Sequence, residues 1–301
     1  MSVIIPAYRA EHRICVALES LRQQDFEGPV EVIVVASGAD GSGSLVRRLY
    51  PEVQVAEFPT RVWPGSARNV GVRMARGDVI AFMSADTCAS RSWLADRVQL
   101  HAAGFDLVGG SILNGTPTHL VGTAGYLLEY SGLLPLDDLL RDQVIPHALS
   151  FRRAVFERLG EYSEDTRTGE DTLFNKRCLE SGMTIAFAPQ AGLTHDNITS
   201  VKGMIGHAID HGRGLAQCVE RHGFASSIGT MDQGLITAGW RMLVGYPVLG
   251  MSARLRRFAR FAPRQLPALL TLMPLIWIAL LATGVGAYIH YLKVRQRHSP
   301  A

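Results

Sequence analysis

Three acidic residues and one histidine stand in a fixed order along the chain. Asp86 closes the apolar run Ile80-Ala81-Phe82-Met83-Ser84-Ala85-Asp86, and Glu170 and Asp171 open a helical pattern at Gly169-Glu170-Asp171-Thr172-Leu173-Phe174. His195 follows in Leu193-Thr194-His195-Asp196. A carboxylate at a strand end is a hard oxygen ligand that can face a divalent cation. An acid pair at a helix start can face a substrate hydroxyl and take its proton. The layout suits transfer of a group from a phosphorylated donor, because a cation neutralises the leaving phosphate while the second acid serves the acceptor.

The elements that must position these residues alternate in type. Ser2–Ile5 is a short apolar run ended by Pro6, and Glu11–Gln24 has helical spacing through Ile14, Leu18 and Leu21. Glu31–Val35 is a β-branched run of the kind found in strands buried on both faces. Ser44–Leu49 reads as a helix, Val53–Glu57 as a strand, Ser66–Ala75 as a helix and Asp78–Met83 as a strand. This order predicts an α/β fold with a mostly parallel, doubly wound sheet, whose ligands lie beyond the carboxyl ends of the strands. Tyr8, Ser37 and Asp86 all fall at such ends. The second half is less regular. Helices are expected at Trp93–His101, Arg153–Leu159, Glu170–Ser181 and Ser200–His222, and strands at Leu107–Ile112, His147–Phe151 and Thr184–Phe187. Thr118–Leu140 is mixed and reads as an acceptor region.

The net charge of +3 hides an asymmetry. Residues 1–232 carry 21 Lys and Arg against 27 Asp and Glu, whereas the remaining 69 residues carry nine Lys and Arg and no acid. A tail both basic and apolar favours an anionic membrane surface and argues against nucleic acid as a partner. Leu266–Leu292 holds 27 residues without Asp, Glu, Lys or Arg. That exceeds the roughly 20 residues that cross a bilayer core. Arg254, Arg256, Arg257, Arg260 and Arg264 precede it, and Lys293, Arg295 and Arg297 follow, so a transmembrane helix is expected there. Gly234–Met251, which contains Arg241 and Pro247, is expected to lie in the membrane interface. Cys15, Cys88, Cys178 and Cys218 are far apart and suggest neither a disulfide framework nor a zinc site. The strand at residues 2–5 begins without a basic stretch or cleavage site, so no signal peptide is expected.

Four segments in order resemble glycosyltransferase family 2. They are Ser2-Val3-Ile4-Ile5-Pro6-Ala7-Tyr8, Gly65-Ser66-Ala67-Arg68-Asn69-Val70-Gly71, Ala75-Arg76-Gly77-Asp78-Val79-Ile80-Ala81-Phe82 leading to Asp86, and Thr168-Gly169-Glu170-Asp171-Thr172. The likeness covers roughly residues 1–225. It implies a GT-A fold, a nucleotide-diphosphate sugar donor, Mg²⁺ or Mn²⁺, and inversion at the anomeric carbon. The expected organisation is a GT-A domain at 1–225, a basic interfacial segment at 226–265, the transmembrane helix at 266–292 and a basic tail at 293–301.

The resemblance also implies roles. Asp86 stands where the family has the last acid of its D-x-D motif, with Ser84 in place of the first acid, and His195 falls where a histidine often lies near metal and diphosphate. Asp171 is the expected general base, with Glu170 sharing that task or binding the acceptor. Pro6, Ala7 and Tyr8 match the segment that cradles the nucleotide base, and Arg68 fits the family's position near the donor's base or phosphate. Apart from the resemblance, Arg213 in His211-Gly212-Arg213-Gly214 is expected to meet the leaving diphosphate, since a guanidinium matches phosphate geometry. The family usually has a base-reading acid near Ser37; here the first acid is Asp40. The implied activity is sugar transfer to a lipid or lipid-linked glycan hydroxyl, on the cytoplasmic side of the cell membrane. Two alternatives accompany it. One is a nucleotidyltransferase, for which Gly38–Gly43 has the glycines but no nearby lysine; the other is a scaffold that binds nucleotide sugar without turnover.

Overall fold

A computed structural model of the chain describes residues 1–135, 149–223, 234–235 and 239–297. The elements are β1 (Ser2–Ala7), α1 (Ile14–Arg22), β2 (Glu31–Ser37), α2 (Ser42–Leu49), β3 (Gln54–Phe58), α3 (Pro64–Met74), β4 (Val79–Phe82), β5 (Thr87–Ala89), α4 (Trp93–Ala102) and β6 (Leu107–Asn114). They continue as α5 (Leu120–Glu129), β7 (Ser150–Arg152), α6 (Arg153–Leu159), α7 (Glu170–Glu180), β8 (Ile185–His195), α8 (Val201–His222), α9 (Met242–Phe261), α10 (Leu266–Thr271) and α11 (Met273–Arg297). Residues 147–148 of the expected strand His147–Phe151, 136–140 of the mixed region, 226–233 and 236–238 of the expected interfacial segment and the end of the basic tail lie outside the described residues.

The chain divides into two compact units, and the expected body at 1–225 is not one of them. The first comprises 1–113, 133–165 and 173–196; the second comprises 114–132, 166–172 and 197–301. Long helices that pack mainly on one another draw residues 197–223 into the second unit.

The first unit is built on one eight-stranded sheet in the order β3-β2-β1-β4-β7-β6-β8-β5. β3, β2, β1 and β4 run parallel, as the alternation of strands and helices predicts. The other half is mixed: β7 is antiparallel to β4 and to β6, and β5 is antiparallel to β8. β5 is three residues long, too short to show a period in the sequence. β8 extends to His195 because it pairs with β5 in the register Thr87↔His195. The core on one face of the sheet gathers Ile4, Ile33, Phe82, Phe151, Tyr162 and Phe174, with the Tyr162 and Phe174 rings stacked at 4.2 Å.

Two of the quoted segments have a structural cause. Gly71 on α3 faces β1 so closely that a Cβ there would lie 2.3 Å from Ile4 Cγ2. Asn69, fully buried, donates to the Tyr162 carbonyl (3.0 Å) and to Glu164 (2.8 Å) and accepts from the Tyr162 amide (2.9 Å). Gly77, at the entry to β4, would place a Cβ 2.7 Å from Ser2 Oγ and 2.8 Å from the Ser2 nitrogen. That close approach lets Glu31 bind three strand starts at once. Its carboxylate accepts from Ser2 Oγ (2.6 Å), the Gly77 amide (3.1 Å), Gln54 (3.0 Å) and the Arg76 amide.

Burial alone would push the Glu31 carboxyl up, but these hydrogen bonds outweigh it and hold it below its ordinary value. The lowered value means the native state favours the carboxylate. Its stabilisation is complete above the unfolded-state value and is lost as pH falls through the lowered one. Glu31→Gln should therefore cost about 1–3 kcal/mol at neutral pH. The gap between variant and native protein should narrow on acidification, as read by urea unfolding at several pH values. An unchanged gap would show that the carboxylate charge is not what matters.

The second unit is helical, containing α5, α8, α9, α10 and α11. The expected continuous helix over 266–292 is broken at Leu272 into α10 and α11, and residues 273–296 are long and apolar enough to cross a membrane. Of the expected interfacial segment 234–251, residues 234–235 are helical, 236–238 lie outside the described residues, and a 3-10 turn at Gly239–Arg241 leads into α9, which runs through Pro247 to Phe261. The arginine cluster is split. Arg254 is buried and donates to the carbonyls of Leu128 (2.9 Å) and Gly250 (3.0 Å), and Arg257 lies against Gly132. Arg256, Arg260 and Arg264 are exposed.

Candidate active site

In the first unit the expected residues collect at the carboxyl ends of the parallel strands. Pro6 and buried Ala7 end β1, Tyr8 follows, and buried Ser37 ends β2. Gly38 has φ +92°, and a Cβ there would lie 2.8 Å from Tyr8 Cε2, so glycine lets the ring lie against the chain leaving β2. Tyr8 is surrounded by cations: the guanidinium of Arg61 lies 4.1 Å from its ring centre and that of Arg9 5.2 Å. Arg61 also lies 5.1 Å from the Trp63 ring. A flat, positively charged surface of this kind can stack a nucleobase and meet phosphate. Arg61 and Trp63 were not singled out in the sequence, although Arg61-Val62-Trp63-Pro64 stands immediately before α3, with Pro64 opening the helix.

Asp40, the first acid after Ser37, is held by the chain around it. Its carboxylate accepts from the amides of Ser42 (2.9 Å) and Arg9, while Ser42 Oγ accepts from the Ala10 amide (3.2 Å). Burial alone would raise this carboxyl, but those donors hold it below its ordinary value. Gly38–Gly43, which runs into the start of α2, is thus organised around its own carboxylate.

β4 leads to the acidic end. Ser84 is exposed, and its carbonyl accepts from the Thr87 amide (3.2 Å) and hydroxyl (2.8 Å), which turns the chain so that Asp86 projects from the turn into β5. The β5–β8 pairing brings His195 beside it, with His195 Nε2 3.5 Å from Asp86 Oδ2. The Asp196 amide donates to the Asp86 carbonyl at 2.9 Å. Arg13, just before α1, reaches Asp196 (2.9 Å) and Asp86 (3.8 Å). Burial pushes the Asp86 carboxyl up, but the hydrogen bond and charge of His195 and the charge of Arg13 outweigh it and keep it below its ordinary value. Arg13 and Asp196 were also missed. Arg13 falls inside an expected helix, where one more surface arginine carries no signal.

Among the described residues no group of three or more His, Cys, Asp or Glu is arranged to hold a metal ion alone. Asp86 and His195 nevertheless converge and are hard or borderline ligands. They fit a divalent cation that keeps most of its ligands from water and a substrate diphosphate, the usual state of Mg²⁺ at phosphate sites. Arg68, on α3, lies over the rings of Phe82 (5.4 Å) and Tyr162 (5.6 Å).

In the second unit, Glu170 and Asp171 are both buried at the start of α7. Asp171 Oδ1 accepts from the Thr172 amide at 2.7 Å. A helix start stabilises such anions through its unpaired amides. Gly214 on α8 packs against this segment: a Cβ there would lie 2.7 Å from Thr168 Oγ1. Its neighbour Arg213 lies 3.6 Å from Asp210, which also pairs with Arg167 at 2.6 Å.

Comparison with known proteins bears on this arrangement. Among curated proteins the chain is similar to glycosyltransferase AglE of Haloferax volcanii, 26% identical over 196 residues, covering 62% of this chain and 64% of that protein. It is also similar to poly(ribitol-phosphate) beta-N-acetylglucosaminyltransferase TarS of Staphylococcus aureus, 32% identical over 100 residues, or 32% of this chain and 18% of TarS. The chain thus spans less than two thirds of the length of these relatives. Among solved structures, TarS 1–349 in complex with UDP-GlcNAc matches with a TM-score of 0.53 at 19% identity, covering 100% of this chain and 93% of that one. The mannosyltransferase PcManGT of Pyrobaculum calidifontis, in complex with GDP-Man and Mn²⁺, matches with a TM-score of 0.56 at 22% identity, covering 97% and 86%. At these identities the structural matches show the GT-A fold. The family model "Glycosyl transferase family 2" matches residues 2–160. With more than half of its length matched, the chain belongs to glycosyltransferase family 2.

Proposed function

We propose that the protein is an inverting, metal-assisted glycosyltransferase that moves a sugar from a nucleotide-diphosphate donor to a hydroxyl of a lipid or lipid-linked glycan. The observation that carries this reading is the Asp86–His195 pair where β5 meets the end of β8, 3.5 Å apart and held beside Arg13. On this reading Pro6, Ala7, Tyr8 and Ser37 receive the nucleoside, with Arg61 and Trp63 added to that set. Asp86 and His195 would hold a Mg²⁺ or Mn²⁺, which when bound supplies charge to neutralise the diphosphate. Ser84 leaves one fewer carboxylate there, so the donor's own oxygens would have to supply more of the ligands.

Asp171 takes the proton from the acceptor hydroxyl as its oxygen attacks the anomeric carbon from the face opposite the diphosphate. The new carbon–oxygen bond forms as the bond to the diphosphate breaks, and the configuration inverts. The electron pair leaves with the diphosphate, whose charge is met by Arg68 and Arg213. Glu170 binds the acceptor. The protein is held at a membrane by its C-terminal helices. The arginines exposed on and after α9 favour the anionic cytoplasmic leaflet.

Ser84 in place of an acid also favours a second reading, a nucleotide-sugar-binding scaffold without turnover. A thermal-shift panel of nucleoside diphosphates with and without Mn²⁺ tests the binding common to both. A ligand that binds only the folded chain raises its stability. One nucleotide should raise the unfolding temperature, and more so with Mn²⁺; no shift with any nucleotide would remove both readings.

A further inference from the structure

The second unit carries most of the bare apolar surface. Among the described residues 14 large hydrophobic side chains are exposed, and 11 of them belong to this unit. α11 shows how that surface is organised. One face is packed: Ile276, Ala279, Leu280, Thr283 and Ala287 are buried. A Cβ at Gly212 of α8 would lie 1.9 Å from the Thr283 carbonyl oxygen, and one at Gly286 of α11 would lie 2.0 Å from that of Ile209. The two helix backbones are therefore in direct contact along this stretch. The opposite face is bare. Ile278, Leu281, Val285 and Leu292 are 39–46% exposed, and their spacing of three, four and seven residues places them on one stripe.

α9 and the turn before it carry further exposed apolar side chains and add charge. Trp240, Val244, Val248 and Leu249 are exposed along the first half, and Arg256 and Arg260 along the second, with Arg264 beyond. Nine Lys and Arg, and no acid, follow Asp232 in the sequence. The partner this fits is anionic on its surface and apolar beneath. A second copy of the chain is the less favoured occupant, because it would bring two such cationic tails together.

The packing also bears on how the helix meets lipid. α8 carries Asp210, Arg213 and Glu220, and Glu220 pairs with His290 of α11 at 2.6 Å. If α11 crossed the hydrocarbon core in this packing it would draw those charges toward it, and charged side chains are costly there. A helix with one docked face and one bare apolar stripe is suited to lie in the interface.

We propose that the second unit docks on an anionic bilayer, with α9 and α11 lying along the interface. The stripe Ile278–Leu281–Val285–Leu292 enters the acyl boundary, and Arg256, Arg260, Arg264 and Lys293 meet the headgroups. This deepens the membrane attachment in the proposed function and does not depend on the transfer reaction.

Flotation of the full chain with vesicles of phosphatidylcholine alone, or with 30% phosphatidylglycerol, tests it. Binding should be at least tenfold greater on the anionic vesicles and fall at least tenfold between 50 and 500 mM salt, because screening shortens the reach of surface charge. Alkaline carbonate should release the protein. Arg256→Glu with Arg260→Glu, both exposed, should abolish flotation, whereas Leu281→Ser with Val285→Ser should weaken it with salt dependence retained. Carbonate-resistant binding equal on both vesicle types would overturn the proposal in favour of a crossing helix. Absence of vesicle binding, with self-association that rises with concentration, would overturn it in favour of a second copy. Nucleotide thermal shift measured on the same samples reports folding of the variants. Its loss in the unaltered chain would count against the transfer reading alone.

Discussion

Asp171→Asn should lower turnover by about 10²–10⁴-fold, the usual cost of losing a general base. The substitution preserves size, and its side-chain oxygen can still accept from the Thr172 amide, as Asp171 does at 2.7 Å. The start of α7 should therefore survive. What the amide cannot do is take the acceptor's proton. Donor affinity should change by no more than a few-fold, because Asp171 is assigned to the acceptor. Glu170→Gln should be milder in turnover and should raise the acceptor KM. Turnover and donor binding measured for both variants separate the possibilities. If Glu170→Gln abolishes turnover and Asp171→Asn does not, the two roles must be exchanged. If neither matters, the pair serves only the helix start, and the proposed mechanism fails.

Asp86→Ala should remove the effect of Mn²⁺ on donor binding. In the unaltered protein, nucleotide at about 100 times its Kd should add about 2.7 kcal/mol of stability, and chelator should reduce that gain. In Asp86→Ala the gain should be small and the same with or without metal. The variant should fold, since Asp86 lies at a partly exposed turn where only its backbone carbonyl serves the β5–β8 pairing, through the Asp196 amide. Full activity in excess chelator would refute the metal assignment, and Arg13, Arg68 and Arg213 would then have to meet the leaving charge unaided.

Much of this arrangement was legible in the sequence where a single physical cause dominates. A β-branched run marked β2, short apolar runs alternating with helical spacing marked β1 and β4, and their carboxyl ends pointed to Tyr8, Ser37 and Asp86. The segments around Gly71 and Gly77 were recognisable by resemblance before their cause was visible; that cause is backbone approach to Ile4 and Ser2. Long-range pairing was not legible. β5 has three residues, and it alone explains why β8 runs on to His195 and why that ring meets Asp86. Charge patterning misled at Arg254 and Arg257, which read as membrane-flanking cations but tie α9 to the end of α5 and the turn after it. Arg97 is a stronger case. It sits inside α4 like any surface arginine, yet it is fully buried, stacks on Trp93 at 4.6 Å and donates to the Val108 carbonyl at 2.7 Å. Burial pushes its guanidinium down to about 9. Helical spacing records which face a residue occupies but not what later strands bring against that face.

The most direct test of glycosyl transfer is release of nucleoside diphosphate from a panel of nucleotide sugars. The full chain would be reconstituted on anionic vesicles bearing a lipid-linked glycan extract, with and without Mn²⁺. One donor should be consumed in an acceptor-dependent manner, faster with metal, with the metal effect lost in Asp86→Ala and the rate reduced at least 100-fold in Asp171→Asn. Binding of nucleotide without consumption of any donor, or consumption that neither substitution alters, would contradict the account.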